Sequence, residues 1–268
     1  MRLSALSRIS LRTVALGYLL ILLVLPLVLI LWRTFENGIG AFFDSITTPA
    51  AISAFQLSML IVAIVVPVNV VFGIVTALAV VRGKFPGRNL VQSIVDLPFA
   101  VSPVVVGVAL IMLWGAGGWF GGVESLGFKV IFGLPGMVIA TIFVTLPFVV
   151  REVEPVLHEI GDDQEQAAST LGASRWQTFW RITLPAIRWG LTYGVVLTVA
   201  RSLGEFGAVI MVSSGFPGVS QTLTLLVHGR YINDHNTFGA YSAATLLMGI
   251  ALVTLLLMTL LDRKRGTK

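Results

Sequence analysis

The sequence predicts an all-α membrane protein with six transmembrane helices, and its composition and apolar stretches support that prediction. Of the 268 residues, 56% are hydrophobic and only 12% are charged, with a mean hydropathy of +0.92. A soluble domain carries about a quarter charged residues. A single transmembrane domain over residues 1–268 is expected, since one span needs about 20 apolar residues. The six candidate spans are residues 14–32, 57–81, 90–113, 134–150, 190–212 and 240–261.

The basic residues are distributed unevenly between the loops on the two sides of these spans. Because cytoplasmic loops carry an excess of Lys and Arg, the richer side is predicted to be cytoplasmic, with both termini. The other side holds only Arg33, Lys129 and Arg230, and Arg201 lies within a span. The net charge of +5 is therefore an orientation signal and does not indicate nucleic-acid binding. The richer side holds Arg2, Arg8, Arg12, Arg82, Lys84, Arg88, Arg151, Arg175, Arg181, Arg188, Arg263, Lys264, Arg265 and Lys268.

Several kinds of chemistry are excluded by the residues present. Without cysteine, the chain has no disulfide, thiolate zinc site or cysteine nucleophile. His158-Glu159 begins like a zinc-protease helix, but Asp162 stands where the second histidine is required. Gly83-Lys84 lacks the earlier glycine of a phosphate-binding loop. ATP-driven work would therefore need a partner chain.

The third predicted span contains an unusual proline-rich stretch. Pro98 and Pro103 each remove a backbone donor, and Ser102 precedes the second proline. Irregular backbone inside a bilayer lines either protein or water, so Ser102 and Pro103 are candidates for the wall of an aqueous path. Ordinary kinked packing is the alternative interpretation. Asp96, in the same span, is a weaker pathway candidate, for which a structural partner is expected.

Two opposite charges lie one helical turn apart in the fifth predicted span. Arg201 is about 20 Å beyond Arg188 at 1.5 Å per residue, deep in the hydrocarbon. An unpaired arginine there costs at least roughly 2.5–3.5 kcal/mol, so Glu205 is its expected partner. Two interpretations remain open. Either the ion pair fixes packing or forms a gate, or Arg201 faces the path of a dianion while Glu205 orients it.

The polar stretch 213–239 lies on the opposite side of the membrane from the basic loops. It contains His228, Arg230, Asp234 and His235, which together could look like a site. A solvated loop is the favoured interpretation, and contact with an extracytoplasmic partner stays open.

The longest predicted cytoplasmic loop, between the fourth and fifth spans, indicates two short helices. Asp163 can cap the first, with Gln166 three residues later in a capping-box arrangement. Gly172 is placed to end that helix in the left-handed conformation. Ser174 is the cap candidate for the second helix, and Pro185 is expected to end it before the next span.

Within this loop, residues 151–185, the spacing resembles the EAA loop of ABC importer permeases. That family's pattern is Glu-Ala-Ala, three residues, Gly, nine residues, Ile, one residue, Leu-Pro. Here glutamine occupies the first position and a glutamate stands one residue earlier. The resemblance implies that the first helix sits in a groove of a cytoplasmic ATPase dimer. The residues that carry it are Glu165, Gln166, Ala167, Ala168, Gly172, Ile182, Leu184 and Pro185.

Three longer runs, 96–107, 176–185 and 201–209, resemble sulfate transport permeases of the CysW type. The resemblance implies a type I ABC importer permease fold in a bacterial cytoplasmic membrane. It implies import of sulfate, with thiosulfate left open, by alternating access. Because related molybdate permeases share parts of these runs, a molybdate or tungstate importer with a permease homodimer is the alternative.

The same resemblance implies the partners and the absence of catalytic residues. The expected partners are membrane lipid, a second homologous permease chain, two ATPase subunits and an extracytoplasmic sulfate-binding protein. ATP and Mg²⁺ would belong to the ATPase, and this chain would hold no cofactor and no metal. An ion-coupled carrier or channel would need intramembrane acids and no docking loop. A membrane enzyme would need a nucleophile, a metal or an acid–base pair.

Overall fold

The computed structural model describes residues 5–263, and every regular element in that range is a helix. Five helices in the described range are long and apolar enough to cross a membrane, and a bent helix pair brings the number to six. The prediction of an all-α protein with six spans is confirmed. Arg2, Lys264, Arg265 and Lys268, which entered the orientation argument, lie outside the described residues.

The helices are numbered α1 to α12 along the described residues. Three of them contain a π-helical turn, at Leu20–Val24 in α1, Phe179–Thr183 in α9 and Gly229–Asn233 in α11. The bounds are α1, 5–35; α2, Gly38–Ile46; α3, Pro49–Arg82; α4, Arg88–Ala100; α5, Pro103–Trp114; α6, Gly122–Ser125; α7, Leu134–Ile160; α8, Asp163–Thr170; α9, Arg175–Leu203; α10, Gly207–Val212; α11, 223–233; and α12, Thr237–Arg263.

The centre of the bundle is formed by α3, α7 and α9, which approach closely at small residues. A Cβ added to Gly73 of α3 would lie 2.5 Å from Val149 Cγ1, and one added to Gly190 of α9 would lie 2.5 Å from a backbone oxygen of α7. Small residues at such crossings allow the close packing that holds helices together in lipid. Asn69 Nδ2 of α3 also donates a buried hydrogen bond to Thr145 Oγ1 of α7 at 2.6 Å.

Helix α1 lies at the edge of this bundle. None of its most apolar 18-residue window is buried by the rest of the chain. Thr34, near its end, is the fully buried exception, and its Oγ1 lies 2.8 Å from Thr245 Oγ1 of α12. The length and hydropathy of this helix fit a membrane-spanning segment.

The third predicted span, 90–113, is broken within the proline-rich stretch that stands out in the sequence. Helices α4 and α5 meet at an angle of 110°. Pro103 begins α5, and Ser102 before it is extended, with ψ 133°. The break follows from proline chemistry, because Pro103 has no amide hydrogen and disfavours helical backbone at the residue before it.

The fifth predicted span, 190–212, is also interrupted. Helix α9 ends at Leu203 and α10 begins at Gly207. Glu205 lies in the gap, and its Oε1 accepts a hydrogen bond from the backbone N–H of Ala208 at 2.8 Å. The carboxylate thus supplies an acceptor that the start of α10 would otherwise lack inside the membrane.

The predicted cytoplasmic loop 151–185 is mostly helical. Its first ten residues continue α7 to Ile160, and α9 already begins at Arg175. Pro185 does not end the second helix, which was the expectation. The π-helical turn Phe179–Thr183 leads directly into the straight part of α9, and Pro185 lies in the first turn of that part, where its missing N–H is tolerated.

Of the two predicted caps in this region, one is observed and one is not. Helix α8 is preceded by Asp162, which makes no side-chain cap, so the capping box predicted for Asp163 and Gln166 is wrong. Ser174 does cap α9. Its Oγ accepts from Gln177 N at 3.3 Å, and Gln177 Oε1 accepts from Ser174 N at 2.9 Å.

Arg230 is buried, which contradicts the expectation of a solvated loop residue. Its side chain donates to Gly239 O at 2.9 Å, Ser45 O at 3.1 Å and Thr48 Oγ1 at 2.9 Å. Burial lowers the pKa of Arg230, and the charge of Asp234 raises it. The guanidinium therefore joins the turn before α3 to the start of α12.

We predict that Arg230→Met destabilises the protein, because two backbone carbonyls and a hydroxyl lose a charged donor. The free energy of unfolding should fall by about 2–4 kcal/mol. Thermal unfolding of the purified protein in detergent measures the change. Lys129→Met is the matched control, since Lys129 is exposed. Equal unfolding temperatures for the two variants would contradict the prediction.

Candidate functional site

Helix α8 and the start of α9, residues 161–185, form one candidate site, here called the α8 segment. The left-handed conformation predicted for Gly172 is observed, with φ +84°. Gly172 N donates to Ser169 O, and Ala173 N donates to Ala168 O, both at 3.0 Å. This pair of bonds is a Schellman motif, which ends α8 after two turns and fixes the direction of the following chain.

Glu165 is the most connected residue of the α8 segment. Its Oε2 lies 3.1 Å from Arg82 Nε, and its Oε1 accepts from Thr183 Oγ1 at 2.8 Å. Gln166, at the position where the EAA pattern has glutamate, is exposed. The carboxylate one residue earlier therefore makes the ion pair within this chain, and the side chain of Gln166 points to solvent.

Arg82, the last residue of α3, contacts three elements with three different nitrogens. Besides the bond from Nε to Glu165, Nη1 donates to Leu157 O at 3.2 Å and Nη2 donates to Gly161 O. Leu157 O is one of the last carbonyls of α7, which have no partner within that helix. Arg82 thus caps the end of α7 and at the same time holds the start of α8.

Large apolar side chains are exposed around α8, although α8 itself is mostly polar. Leu171, Trp176 and Trp180 are 88%, 69% and 50% exposed. The indole rings of Trp176 and Trp180 lie edge to face at 5.5 Å, and Ala167 is exposed on α8. Exposed apolar groups of this size mark contact surfaces. These four residues are here called the α8–α9 surface.

The remaining residues of the EAA-like pattern lie at the α9 end of the segment. Ala168 and Ile182 are half-buried, and Pro185 is exposed. Leu184 packs against the buried cluster that contains Ile187 of α9 and several residues of α3 and α7. The residues of the EAA-like pattern therefore extend from the exposed helix α8 to the core of the bundle.

A second candidate site lies where α9 is interrupted. Arg201 Nη1 and Glu205 Oε2 are 2.7 Å apart, so the predicted ion pair is present. The Glu205 side chain is 1% exposed, whereas the Arg201 side chain is 32% exposed. Ser202 Oγ is buried and has no hydrogen-bond partner among the described residues. Within this chain, the Glu205 side chain is fully enclosed and the Arg201 side chain is partly exposed.

The two broken spans lie side by side at their breaks. A Cβ added to Gly207, at the start of α10, would lie 3.1 Å from Pro103 Cβ, at the start of α5. One added to Gly107 of α5 would lie 2.5 Å from Met211 Cβ of α10. Ser102 is exposed beside this contact. The structure thus brings Pro103 and Ser102 next to the interruption that holds Glu205.

Asp96 does not join this group of residues. Its Oδ1 accepts from Arg151 of α7 at 2.8 and 3.0 Å, which matches the expected structural partner. Asp96 lines a cavity of about 460 Å³ together with Val80 of α3. Ser58, also on α3, accepts a hydrogen bond from Leu223 N, and the neighbouring Thr224 donates to the backbone oxygen of Glu205. Ser58 and Val80 are 22 residues apart on α3, which is about 33 Å of helix. Asp96 therefore lies about that far along α3 from the Glu205 region.

Helix α4 is held to α7 at two further points. Gln92 Nε2 donates to Glu154 Oε1 at 2.8 Å, and the Phe99 and Phe148 rings meet edge to face at 5.5 Å. The Arg151 guanidinium lies 4.7 Å from the centre of the Phe99 ring. The half of the third span that precedes the bend is therefore attached to the helix that leads into α8.

Two residues of these sites were not found from the sequence. Arg82 is one of three basic residues in its loop, and nothing local distinguishes it from Lys84 or Arg88. Thr183 lies inside the EAA-like pattern at a position that the pattern leaves open. Among the described residues, no group of three His, Asp or Glu side chains could hold a metal ion.

Comparison with known proteins shows relatives along nearly the whole chain. CysW of Synechococcus elongatus, a sulfate transport system permease protein, is 48% identical over 254 residues, 94% of this chain and 88% of that protein. CysW of Escherichia coli is 45% identical over 242 residues, 90% of this chain and 83% of that protein. CysT of Synechocystis sp., another sulfate transport system permease protein, is 34% identical over 247 residues, 92% of this chain and 86% of that protein.

A solved structure has the same fold. A bacterial alginate ABC transporter in complex with an alginate pentasaccharide-bound periplasmic protein contains a chain that matches with a TM-score of 0.77. The match covers 97% of this chain and 94% of that chain at 19% sequence identity, so it shows the fold alone. This is the type I ABC importer permease fold that the resemblance of the three longer runs implied.

A family model also matches residues 69–267, from the middle of α3 onward and including both candidate sites. The model describes inner membrane proteins that work with a separate binding protein. The chain belongs to the family of binding-protein-dependent transport system inner membrane components.

Proposed function

We propose that this chain is the permease subunit of an ABC importer that moves sulfate into the cell by alternating access. The observation that carries the proposal is 48% identity with a sulfate permease over 94% of the chain. Thiosulfate, also a tetrahedral dianion, is proposed as a second substrate. The molybdate or tungstate alternative has no support among the relatives described above. The chain itself performs no bond chemistry, because its role is to move a solute.

The proposed orientation places the α8 segment and both termini in the cytoplasm. Arg82, Lys84 and Arg88 follow α3 at the same end of the bundle as α8. At the opposite end of the bundle, basic residues are few, and one of them, Arg230, is buried and makes hydrogen bonds within the chain. The positive-inside rule supports this orientation. Residues 1–268 then form one transmembrane domain.

The α8–α9 surface is the proposed docking surface for an ATPase subunit. The importer would contain two ATPase subunits, one docked on each permease chain. Ala167 permits close approach of a partner backbone, and the exposed Trp176 and Trp180 supply large contact areas. ATP and Mg²⁺ are proposed to bind the ATPase subunits only. The lack of a phosphate-binding loop in this sequence supports that assignment.

Two further partners complete the proposed importer. A second, homologous permease chain would form a heterodimer with this one, as the existence of distinct CysW and CysT relatives suggests. An extracytoplasmic sulfate-binding protein would deliver the anion, by analogy with the alginate transporter that was solved with a periplasmic protein bound.

The proposed sulfate path passes the breaks of the third and fifth spans. Both carboxylate oxygens of Glu205 are engaged, one by Arg201 and one by Ala208 N–H, so its charge is offset. The ion pair carries no net charge, but its carboxylate is enclosed while the Arg201 side chain is partly exposed, so Arg201 is the group proposed to attract a dianion. Ser102 offers a hydroxyl donor, and Pro103 fixes its position. Asp96 belongs to the inner half of the third span and is proposed to act away from this group.

We predict that cells without this chain lose most uptake of radiolabelled sulfate, and that the chain restores it. Molybdate in tenfold excess should compete weakly with sulfate, whereas thiosulfate should compete strongly. Normal sulfate uptake in the deletion strain would contradict the substrate assignment. Strong competition by molybdate would favour the alternative oxyanion.

We predict that Ala167→Trp prevents docking of the ATPase, because an indole at this exposed position fills the space needed for close approach. Co-purification of the ATPase with the tagged permease should fall at least about tenfold, as at an interface hot spot. Ala116→Trp, at an exposed alanine after α5, is the matched control. Unchanged co-purification and import in Ala167→Trp would remove the surface from the mechanism.

We predict that Arg201→Ala lowers sulfate uptake at least about tenfold, partly because Glu205 is left as a buried, unpaired charge. The double variant, Arg201→Ala with Glu205→Gln, removes both charges. The amount of permease in the membrane should then return to the level of the unmodified protein, while sulfate uptake stays low. Uptake per permease molecule is the measurement. If the double variant transports normally, the pair has a structural role only and Arg201 is not in the path.

A further inference from the structure

We infer that Arg82 is a positioning residue for transport, which joins α8 to the core of the bundle so that they move together. The inference rests on the proposed function, since it concerns how displacement of α8 by a docked ATPase reaches the membrane. It adds a residue outside the EAA-like pattern and assigns a specific role to Glu165 and Thr183 within it.

The guanidinium of Arg82 connects three helices. Its Nε bonds Glu165 of α8, and its two terminal nitrogens bond carbonyl oxygens of Leu157 and Gly161 at the end of α7. The partial negative charge at the end of α7 favours a cation at this position. Since Arg82 is itself the last residue of α3, one side chain links α3, α7 and α8.

The carboxylate of Glu165 adds the fourth helix. One oxygen accepts from Arg82, and the other accepts from Thr183 at 2.8 Å. Thr183 is buried and ends the π-helical turn of α9. Since α3, α7 and α9 are the helices that pack closely at Gly73 and Gly190, the carboxylate joins α8 to the whole core.

The local environment gives the ion pair between Arg82 and Glu165 a fixed direction and only weak screening by solvent and salt. The side chains of Arg82 and Glu165 are each only 22% exposed, so solvent and salt reach them poorly. A planar guanidinium can satisfy three acceptors at fixed angles, which a lysine ammonium on a flexible stem cannot do equally well. The connection should therefore resist shear between α8 and the core, rather than simply attract the two.

Loss of this connection has a consequence that differs from loss of the docking surface. The apolar α8–α9 surface stays intact, so the ATPase should still bind and hydrolyse ATP. Helix α8 can then shift without carrying α3, α7 and α9 with it. The expected result is uncoupling, in which ATP is consumed but little sulfate moves.

The experiment uses the complete importer, with its second permease, ATPase subunits and binding protein, in lipid vesicles. Arg82→Gln removes the guanidinium, and Lys84→Gln is the matched control, because Lys84 is exposed two residues away. Arg82→Lys keeps the charge, and Thr183→Val removes a single hydroxyl while keeping the volume. Three quantities are measured for each: ATPase co-purification, sulfate moved per ATP hydrolysed, and amide hydrogen exchange over residues 163–170.

For Arg82→Gln, sulfate moved per ATP should fall about tenfold, within the usual range of coupling between linked sites, while co-purification is unchanged. Arg82→Lys should recover part of the loss, and Thr183→Val should show a smaller loss of the same kind. Amide exchange in α8 should be faster in Arg82→Gln than in Lys84→Gln. A general folding defect would instead reduce co-purification and hydrolysis in step with transport.

The inference is overturned if Arg82→Gln and Lys84→Gln give the same ratio of sulfate to ATP. It is also overturned if both Arg82→Gln and Thr183→Val lose the ATPase, because the residues would then serve assembly only. If the unmodified complex moves no sulfate, the proposed function fails instead. Amide exchange then decides the inference alone, and equal exchange in the two glutamine variants would refute it.

Discussion

The structure depends on one constraint: inside a bilayer, a backbone N–H or C=O without a partner has no water to bond. Each place where the chain leaves the regular helix inside the membrane therefore needs a compensating group, and buried helix ends outside the membrane need one as well. Arg82 bonds the free carbonyls at the end of α7, and Glu205 bonds an amide at the start of α10. Arg230 bonds the carbonyls of Ser45 and Gly239 where the loops meet α3 and α12. Arg82, Glu205 and Arg230 thus each bond backbone groups at or near helix ends.

This placement organises the molecule into a core and two sites. The core consists of α3, α7 and α9, packed at small residues such as Gly73 and stabilised by the bond between Asn69 and Thr145. At one end, the α8 segment presents apolar side chains while Glu205 lies far away in the interrupted fifth span. Movement of the α8 segment therefore reaches Glu205 through the core helices, because the described residues offer no shorter connection between these two regions.

Much of this organisation could be predicted from local chemistry. Apolar length indicated all six spans, the left-handed Gly172 followed from helix termination, and the Ser174 cap followed from its hydroxyl and Gln177. What could not be predicted depends on groups distant in the chain. Asp163 does not cap α8, and Arg230 is buried because it finds its acceptors about 185 residues earlier. Hydropathy also cannot show the breaks at residues 101–102 and 204–206, because the apolar run continues through them.

The 110° bend in the third span divides it between two bodies. Its first half, α4, is fixed to α7 by Asp96 and Gln92, whereas its second half, α5, packs against α10. At the bend, Val101 N donates to Leu97 O of α4 and Ser102 O accepts from Val106 N of α5, so each of these two residues is bonded to its own half. One stretch of chain thus belongs to two packed bodies, and a hinge between them would let one body shift while the other keeps its place. A carrier that must keep at least one face closed at every moment needs such mechanical independence.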